Sequence, residues 1–270
     1  MCIRDRVNKD RGFQVGIHVD AASGGFIAPF QDSLPDWDFR LKNVLSISAS
    51  GHKFGESCIG TGWIVWRQRE NLSDHVAISV SYLGGMGESY NLNFSRPASG
   101  IYVQYYKFLR YGISGYQKIC DHMMNHAQKI REGLGKMKFE SMPRFIILDD
   151  GDKNCLPVVT AMLKPECNFE YDDIDLQHAI SEHNWYVSGY RMNFEDPITK
   201  QDKPIFTDQE GSKSMFRIVV KNNINSVMVD NLIDSFVKTL EMLDSIEFKN
   251  KANGALKGIH RKKNLFSKHC

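Results

Sequence analysis

Two short apolar runs, each ending in a chemically active side chain, constrain this chain more than any other feature. Val15-Gly16-Ile17-His18-Val19-Asp20 reads as a buried strand that stops at a carboxylate. Val44-Leu45-Ser46-Ile47-Ser48 reads as a second strand, and it runs into Ser50-Gly51-His52-Lys53. Runs this short and apolar suit strands of a covered sheet. The carboxyl ends of such strands are where open α/β sheets bind ligands. Asp20 is followed by Ala21, Ala22, Ser23, Gly24 and Gly25, small residues that let the chain pass close to a flat group.

The rest of the pattern agrees with an α/β chain. Residues 62–67 form a third expected strand, rich in aromatic and β-branched types. Pro97 opens a helical stretch to about Gly112, with Ile101, Tyr105, Phe108 and Leu109 at core spacing. A second helical run covers 114–136. Strands are expected at 145–148, 157–163 and 215–220, and helices at 173–183 and 225–245. The last helix buries Val229, Leu232, Ile233, Phe236, Val237, Leu240 and Leu243. Alternating strands and helices predict a small α/β domain after residue 123. Residues 1–12 lack an apolar period or a cap, and read as a scar or a disordered start of a truncated domain. The organisation is therefore 1–12, then 13–123, then 124–248, then a basic tail over 249–270.

Composition narrows the partners. With 34 Lys plus Arg against 32 Asp plus Glu, the formal charge is +2, which gives no reason to expect nucleic acid. No apolar run is long enough for a membrane span, and no signal-peptide core begins the chain. The six cysteines are scattered without a CxxC pair, which argues against a disulfide framework and against a metal site. The expected compartment is cytoplasmic.

Four places carry candidate chemistry. Asp20 can hold the pyridine proton of pyridoxal phosphate, which needs it to act as an electron sink; a turn cap is the alternative. Lys53 can form a Schiff base with the same aldehyde, with Ser50 and His52 beside the phosphate; a solvated lysine is the alternative. Ser95, before Pro97 at a helix start, suits a phosphate or a simple cap. Arg217, within an apolar strand, suits a substrate carboxylate or a sheet-edge salt bridge equally well.

At these residues the chain resembles the glutamate decarboxylases, within the pyridoxal-dependent group II decarboxylases. The matching strings are His18-Val19-Asp20-Ala21-Ala22-Ser23-Gly24-Gly25-Phe26-Ile27-Ala28-Pro29-Phe30, Ser46-Ile47-Ser48-Ala49-Ser50-Gly51-His52-Lys53-Phe54-Gly55, Tyr82-Leu83-Gly84-Gly85 and Asn93-Phe94-Ser95-Arg96-Pro97. The similarity starts near Phe13 and is strongest to about Gly115. The resemblance implies that Lys53 is the Schiff-base lysine, with His52 beside it in catalysis. It implies Asp20 as pyridinium partner, Ala22 as the residue under the ring, and Ser50, His52 and Ser95 as phosphate-side residues. Arg217 falls where the family holds the substrate α-carboxylate. The implied reaction is α-decarboxylation of L-glutamate to 4-aminobutyrate and CO2. The implied fold is the aspartate-aminotransferase type (fold type I), working as a homodimer or a higher homo-oligomer.

The resemblance also implies that the family's N-terminal half is absent here. The chain alone is then expected to be unstable or inactive, and the residues that read the substrate side chain lie elsewhere. Two other readings stay open: a non-catalytic dimerisation or binding module, and a decarboxylase of another acidic amino acid. In the tail, His269 resembles a histidine with which some bacterial members plug the site at neutral pH. Plant members bind calmodulin through a basic amphipathic tail. This tail is short, lacks Trp and contains Gly254 and Gly258, which disfavours calmodulin and favours a plain solvated segment.

Overall fold

The computed structural model describes residues 2–13, 15–32, 34–74, 78–80, 87–90, 96–149, 155–191, 193–195, 202–204 and 214–253. They divide into two compact units, Met1–His122 and Met123–Cys270.

The first unit opens with a helix, α1 (Cys2–Arg11), where no element was expected. Its arginines and lysine are good helix formers without any apolar period, and Asn8 exchanges two hydrogen bonds of 3.3 Å with the Val15 backbone. Three strands follow: β1 (Ile17–Asp20), β2 (Val44–Ala49) and β3 (Trp63–Trp66), in the order β1-β2-β3. β1 runs parallel to β2, and β3 is antiparallel. The register pairs Val19 with Ile47, His18 with Ser46 and Asp20 with Ser48. Because side chains alternate across a strand, Ile17, Val19 and Ile47 pack with Val44, Trp37, Phe39 and Leu41 on one face. The other face carries His18, Asp20, Ser46 and Ser48, so these strands are half-buried rather than apolar on both sides. Arg67 donates to three main-chain carbonyls, of Val44, Phe39 and Leu41, at 2.6–2.7 Å and closes the loop under this core. A short hairpin, β4 (Ile78–Val80) with β5 (Gly87–Ser89), completes the strands among the described residues of this unit.

Helix α2 (Ser99–Lys136) breaks at Gly112, whose φ of 56° is one that L side chains rarely adopt. The break falls where the two expected helices meet. Beyond it Tyr116, Cys120, Met123, Ala127, Ile130 and Leu134 are all buried, at helical spacing. Before it the expected core face is not buried: Ile101, Tyr105 and Leu109 are 58%, 60% and 69% exposed. The residues that are buried there are Gly100 and Gln104, the latter at 0%. Their face of the helix meets the loop after β2, where Gly100 approaches Thr61 so closely that a Cβ would fall 1.9 Å from Thr61 Oγ1.

The second unit is built on an antiparallel four-stranded sheet of order β10 (Ser188–Arg191), β13 (Ser214–Val219), β9 (Val158–Leu163), β8 (Phe145–Ile147). Two-residue strands β6 (Lys138–Phe139) and β7 (Met142–Pro143) form a hairpin just before it. The small hairpin β11 (Asn193–Glu195) with β12 (Asp202–Pro204) lies between β10 and β13 in the chain. Helices α3 (Asp173–Ser181) and α4 (Ser226–Asn253) cover it. Asp172 caps α3, accepting from the amides of Ile174 and Asp175. Rings of Phe145, Phe216 and Phe236 meet at centroid distances of 5.4, 5.6 and 6.3 Å; each such burial contributes about 2 kcal/mol. On α4 the buried stripe is Val229, Leu232, Phe236 and Leu240, narrower than expected: Val237 is exposed, while Thr239 is buried.

Candidate functional site

The parallel pairing of β1 with β2 brings two carboxyl-terminal strand ends side by side. Asp20 lies opposite Ser48, whose hydroxyl donates to Asp20 Oδ1 at 3.3 Å. The Ala22 amide donates to the same oxygen at 3.1 Å. Among the described residues no donor reaches Asp20 Oδ2, and the residue is exposed on this chain. The two loops are then tied together. The Ala21 amide donates to Ser48 O at 3.0 Å and the Ser50 amide to Ala22 O at 3.1 Å. Gly25 lies against Ala49, where any side chain at 25 would collide at 2.6 Å.

Lys53 sits on the turn that follows. Its amide donates to Ser50 O at 3.2 Å, and its Nζ reaches Ser23 Oγ at 3.4 Å. The ammonium group therefore reaches the loop that follows Asp20. His52 turns the other way. Its amide and its Nδ1 both approach Thr61 O, at 3.2 and 3.0 Å. A carbonyl oxygen only accepts, so Nδ1 carries hydrogen and the neutral ring presents Nε2 as a lone pair. Protonated, the same Nε2 would donate to an anion.

These residues suit pyridoxal phosphate. A carboxylate with an oxygen left over stands at one strand end, and a primary amine reaches across from the next. Between them are residues without bulk: Ala22 carries only a methyl, and at Gly24 even a Cβ would meet nothing within 4 Å. Among the described residues no group of His, Cys, Asp and Glu could hold a metal ion.

The loop is supported from beneath by residues that sequence reasoning missed. Gln104 Nε2 and the Tyr116 hydroxyl both donate to Gly55 O, at 2.7 and 3.0 Å. Burial pushes the Tyr116 hydroxyl up to about 12, against the hydrogen bond from Gln104 that lowers it. The phenol is therefore a donor at any ordinary pH. No sequence signal marks Gln104, since a lone Gln on an aromatic-rich helix reads as its solvated face.

Arg217 belongs to the second unit. On β13 burial alternates, with Ser214, Phe216 and Ile218 inward and Arg217 and Val219 outward. The guanidinium escapes the core through this alternation. It donates to Tyr190 Oη at 2.8 Å, with its carbon 5.2 Å from the Tyr190 ring centroid. Ser95 and His269 lie outside the described residues, as do Tyr82-Leu83-Gly84-Gly85 and the tail beyond residue 253.

Known proteins fit this arrangement. Residues 3–161 match the pyridoxal-dependent decarboxylase conserved domain, a span that includes Asp20, Lys53 and Gln104 but not Arg217. A glutamate decarboxylase of Aliivibrio fischeri is 36% identical over 229 residues, 85% of this chain and 45% of the relative. One from Lactococcus lactis is 36% identical over 242 residues, 89% of this chain and 47% of the relative. The chain thus spans about half the length of the curated relatives it matches. The solved glutamate decarboxylase of Lactobacillus brevis superposes with a TM-score of 0.75 at 34% identity, covering 90% of this chain and 50% of that one. The sphingosine-1-phosphate lyase of Burkholderia pseudomallei superposes at 0.62 with 18% identity, covering 92% of this chain and 51% of that one, a likeness of fold alone. The fold is the aspartate-aminotransferase type, fold type I of the pyridoxal-phosphate enzymes. With most of the first unit and the start of the second inside the matched span, the chain belongs to the pyridoxal-dependent decarboxylase family.

Proposed function

We propose that this chain carries the lysine-bearing part of a glutamate decarboxylase, which converts L-glutamate to 4-aminobutyrate and CO2. The observation that carries the reading is the β1–β2 register, which sets Asp20 beside Ser48 and lets Lys53 Nζ approach Ser23. The choice of glutamate is supported by the names of the relatives at 34–36% identity.

Each residue then has a task. Asp20 Oδ2 would accept a hydrogen bond from the protonated pyridine nitrogen of the cofactor and so keep that proton in place. Ala22 lies under the ring. Lys53 Nζ holds the cofactor through its aldehyde carbon. Ser50, Ser95 and His52 face the phosphate, and His52 uses Nε2, the nitrogen that Thr61 leaves unused. Arg217 pairs with the substrate α-carboxylate. Holding that carboxylate would fix the orientation of the bond to be broken. When bound, pyridoxal phosphate supplies an electron sink for the pair left by the departing CO2.

We also assign residues 13–123 to the cofactor-binding large domain and 124–248 to the small domain. The working assembly is a cytoplasmic homodimer or higher oligomer. His269 is the regulatory candidate of the tail, and calmodulin remains the disfavoured partner. Among the described residues no helix is long and apolar enough to cross a membrane. The test is borohydride trapping of pyridoxal phosphate on the purified chain, mapped by peptide mass spectrometry, followed by assay of CO2 release. An adduct on Lys53 is expected on this chain, and turnover of glutamate in preference to aspartate is expected where the chain works together with the segments its relatives have and it does not cover. An adduct on another lysine removes the assignment, and preference for aspartate removes the substrate.

A further inference from the structure

The turn that carries Lys53 is hydrogen-bonded at one end and packed against at the other by side chains of one helix. At its far end Gly55 O accepts from Gln104 Nε2 at 2.7 Å and from Tyr116 Oη at 3.0 Å. Tyr116 Oη also accepts from Gln104 Nε2 at 3.1 Å. At its near end the Gln104 Oε1 lies against Gly51, where a Cβ would come within 2.1 Å of it. The amide cannot be turned over. Exchanging its oxygen and nitrogen would set an oxygen against the Gly55 carbonyl and leave Tyr116 Oη without its donor.

Gln104 is fully buried, and its Oε1 has no hydrogen-bond partner among the described residues. A leucine of similar size would fill the same space without an orphaned carbonyl. A polar side chain held in that state has a use beyond filling volume. Here the use is local: between the two ends stand only His52, Lys53 and Phe54. Ser57 adds a third tie, with its amide on Gly51 O at 3.0 Å and its hydroxyl on Gly100 O at 2.7 Å.

We propose that Gln104 and Tyr116 are positioning residues for Lys53, fastening the Gly55 end of the 51–55 turn by hydrogen bonds while Gln104 packs against its Gly51 end, so that Nζ stays in reach of the loop after Asp20. The proposal rests on Lys53 being the cofactor's lysine. Its test therefore includes an arm without cofactor. Gln104→Leu removes both contacts of the amide, Tyr116→Phe removes one donor and keeps the ring, and Gln104→Glu makes the donor depend on protonation.

In the cofactor-free chain the measurement is the rate at which trace acetic anhydride modifies Lys53, relative to exposed Lys118 in the same molecule. Gln104→Leu is expected to change this ratio roughly tenfold, and Tyr116→Phe less, as befits losing one buried donor of two. In the loaded chain, borohydride trapping on Lys53 across a pH series gives the second readout. Gln104→Glu should recover toward the wild-type rate as pH falls and its carboxyl again donates to Gly55 O, while Gln104→Leu stays low throughout. Circular dichroism identifies any variant that does not fold; if Gln104→Leu is one, the other two variants decide. Wild-type labelling and trapping in Tyr116→Phe and Gln104→Leu overturn the proposal. So does a Gln104→Glu profile parallel to that of Gln104→Leu, which would mark a packing residue only. Cofactor trapped away from Lys53 in the wild type overturns both this proposal and the assignment beneath it.

Discussion

The two units bury polar groups for different ends. In the first, Gln104, Tyr116, Ser57 and Thr61 converge on a single loop, the one that holds His52 and Lys53. In the second, buried polar groups fasten one element of the core to another. Arg144 forms two hydrogen bonds to Asp244 of α4, at 3.0 and 2.6 Å, and lies between the rings of Phe139 and Phe169. Arg131 pairs with Asp149, which also accepts from the Thr160 amide on β9 at 2.7 Å. Asp173 joins the start of α3 to Ser214 on β13 and to the Leu163 amide on β9. The contrast teaches that substitutions of buried polar groups should separate cleanly. In the first unit they alter the chemistry of one lysine; in the second they alter stability.

The largest effect tests the first half of that contrast. Lys53→Ala should abolish borohydride-trapped cofactor altogether, with an unfolding midpoint close to wild type. Trapping that survives in this variant would show that another amine does the work.

Next comes the second half. Asp244→Ala leaves the Arg144 guanidinium buried without its carboxylate, and should lower stability by roughly 3 kcal/mol. Urea unfolding followed by circular dichroism measures it, and an unchanged midpoint would mean that the two rings and the Tyr171 hydroxyl, which accepts from Arg144 Nη1 at 2.6 Å, suffice to hold the charge. Lys53 labelling should not respond.

The third effect is one of pH. The Asp173 carboxyl is pushed up to about 6, chiefly by burial, against hydrogen bonds from Ser214 and from the Leu163 amide. Its ordinary value is 3.8. A folded value above the unfolded one means that its contribution is fully present at low pH and is lost as pH rises through about 6. The second unit should therefore lose roughly 2 kcal/mol from this group between those two values, and Asp173→Asn should flatten that part of the profile. Identical profiles in wild type and variant would remove Asp173 as the cause.

The smallest effect sits on the one polar group of the second unit given a chemical task. Tyr190→Phe keeps the ring beside Arg217 and deletes the 2.8 Å hydrogen bond. If the proposed function holds, in a protein that also supplies the rest of the relatives' length we expect KM for glutamate to rise about threefold with kcat little changed, as for loss of one exposed hydrogen bond. A fall in kcat with constant KM would place Tyr190 in the chemical step instead.

Much of this was legible because the patterns concerned were local. The strands of the first sheet end at Asp20 and just before Lys53 because apolar runs stop there and small residues follow. Gly112 interrupts α2 where helical spacing itself breaks. The outward course of Arg217 follows from period-two alternation, although its partner Tyr190 does not, since Ser188-Gly189-Tyr190-Arg191 shows no strand-like pattern. What was not legible depends on approach between distant segments. Ile101, Tyr105 and Leu109 form an apolar stripe by spacing, yet the loop over residues 51–61 packs on the Gly100 and Gln104 face instead. Only contact with Gly51, Gly55 and Thr61 makes that face the inner one. Helix α1 was missed for a different reason, because propensity alone forms it without a stripe.

The crowding around Gly51, Gly55 and Gly100 also governs how this chain can drift. At Gly55 a methyl group would sit 2.8 Å from both Gly51 O and the Phe26 ring, and at Gly51 and Gly100 the collisions are closer still. No single nucleotide change at these codons yields a residue smaller than alanine, so each is a dead end unless the surroundings change first. A few positions away, Cys58 and Ile59 project into solvent and carry no such veto. The loop should therefore accumulate variation on its outer limb while its inner limb stays frozen, a pattern that saturation mutagenesis would display within a dozen neighbouring codons.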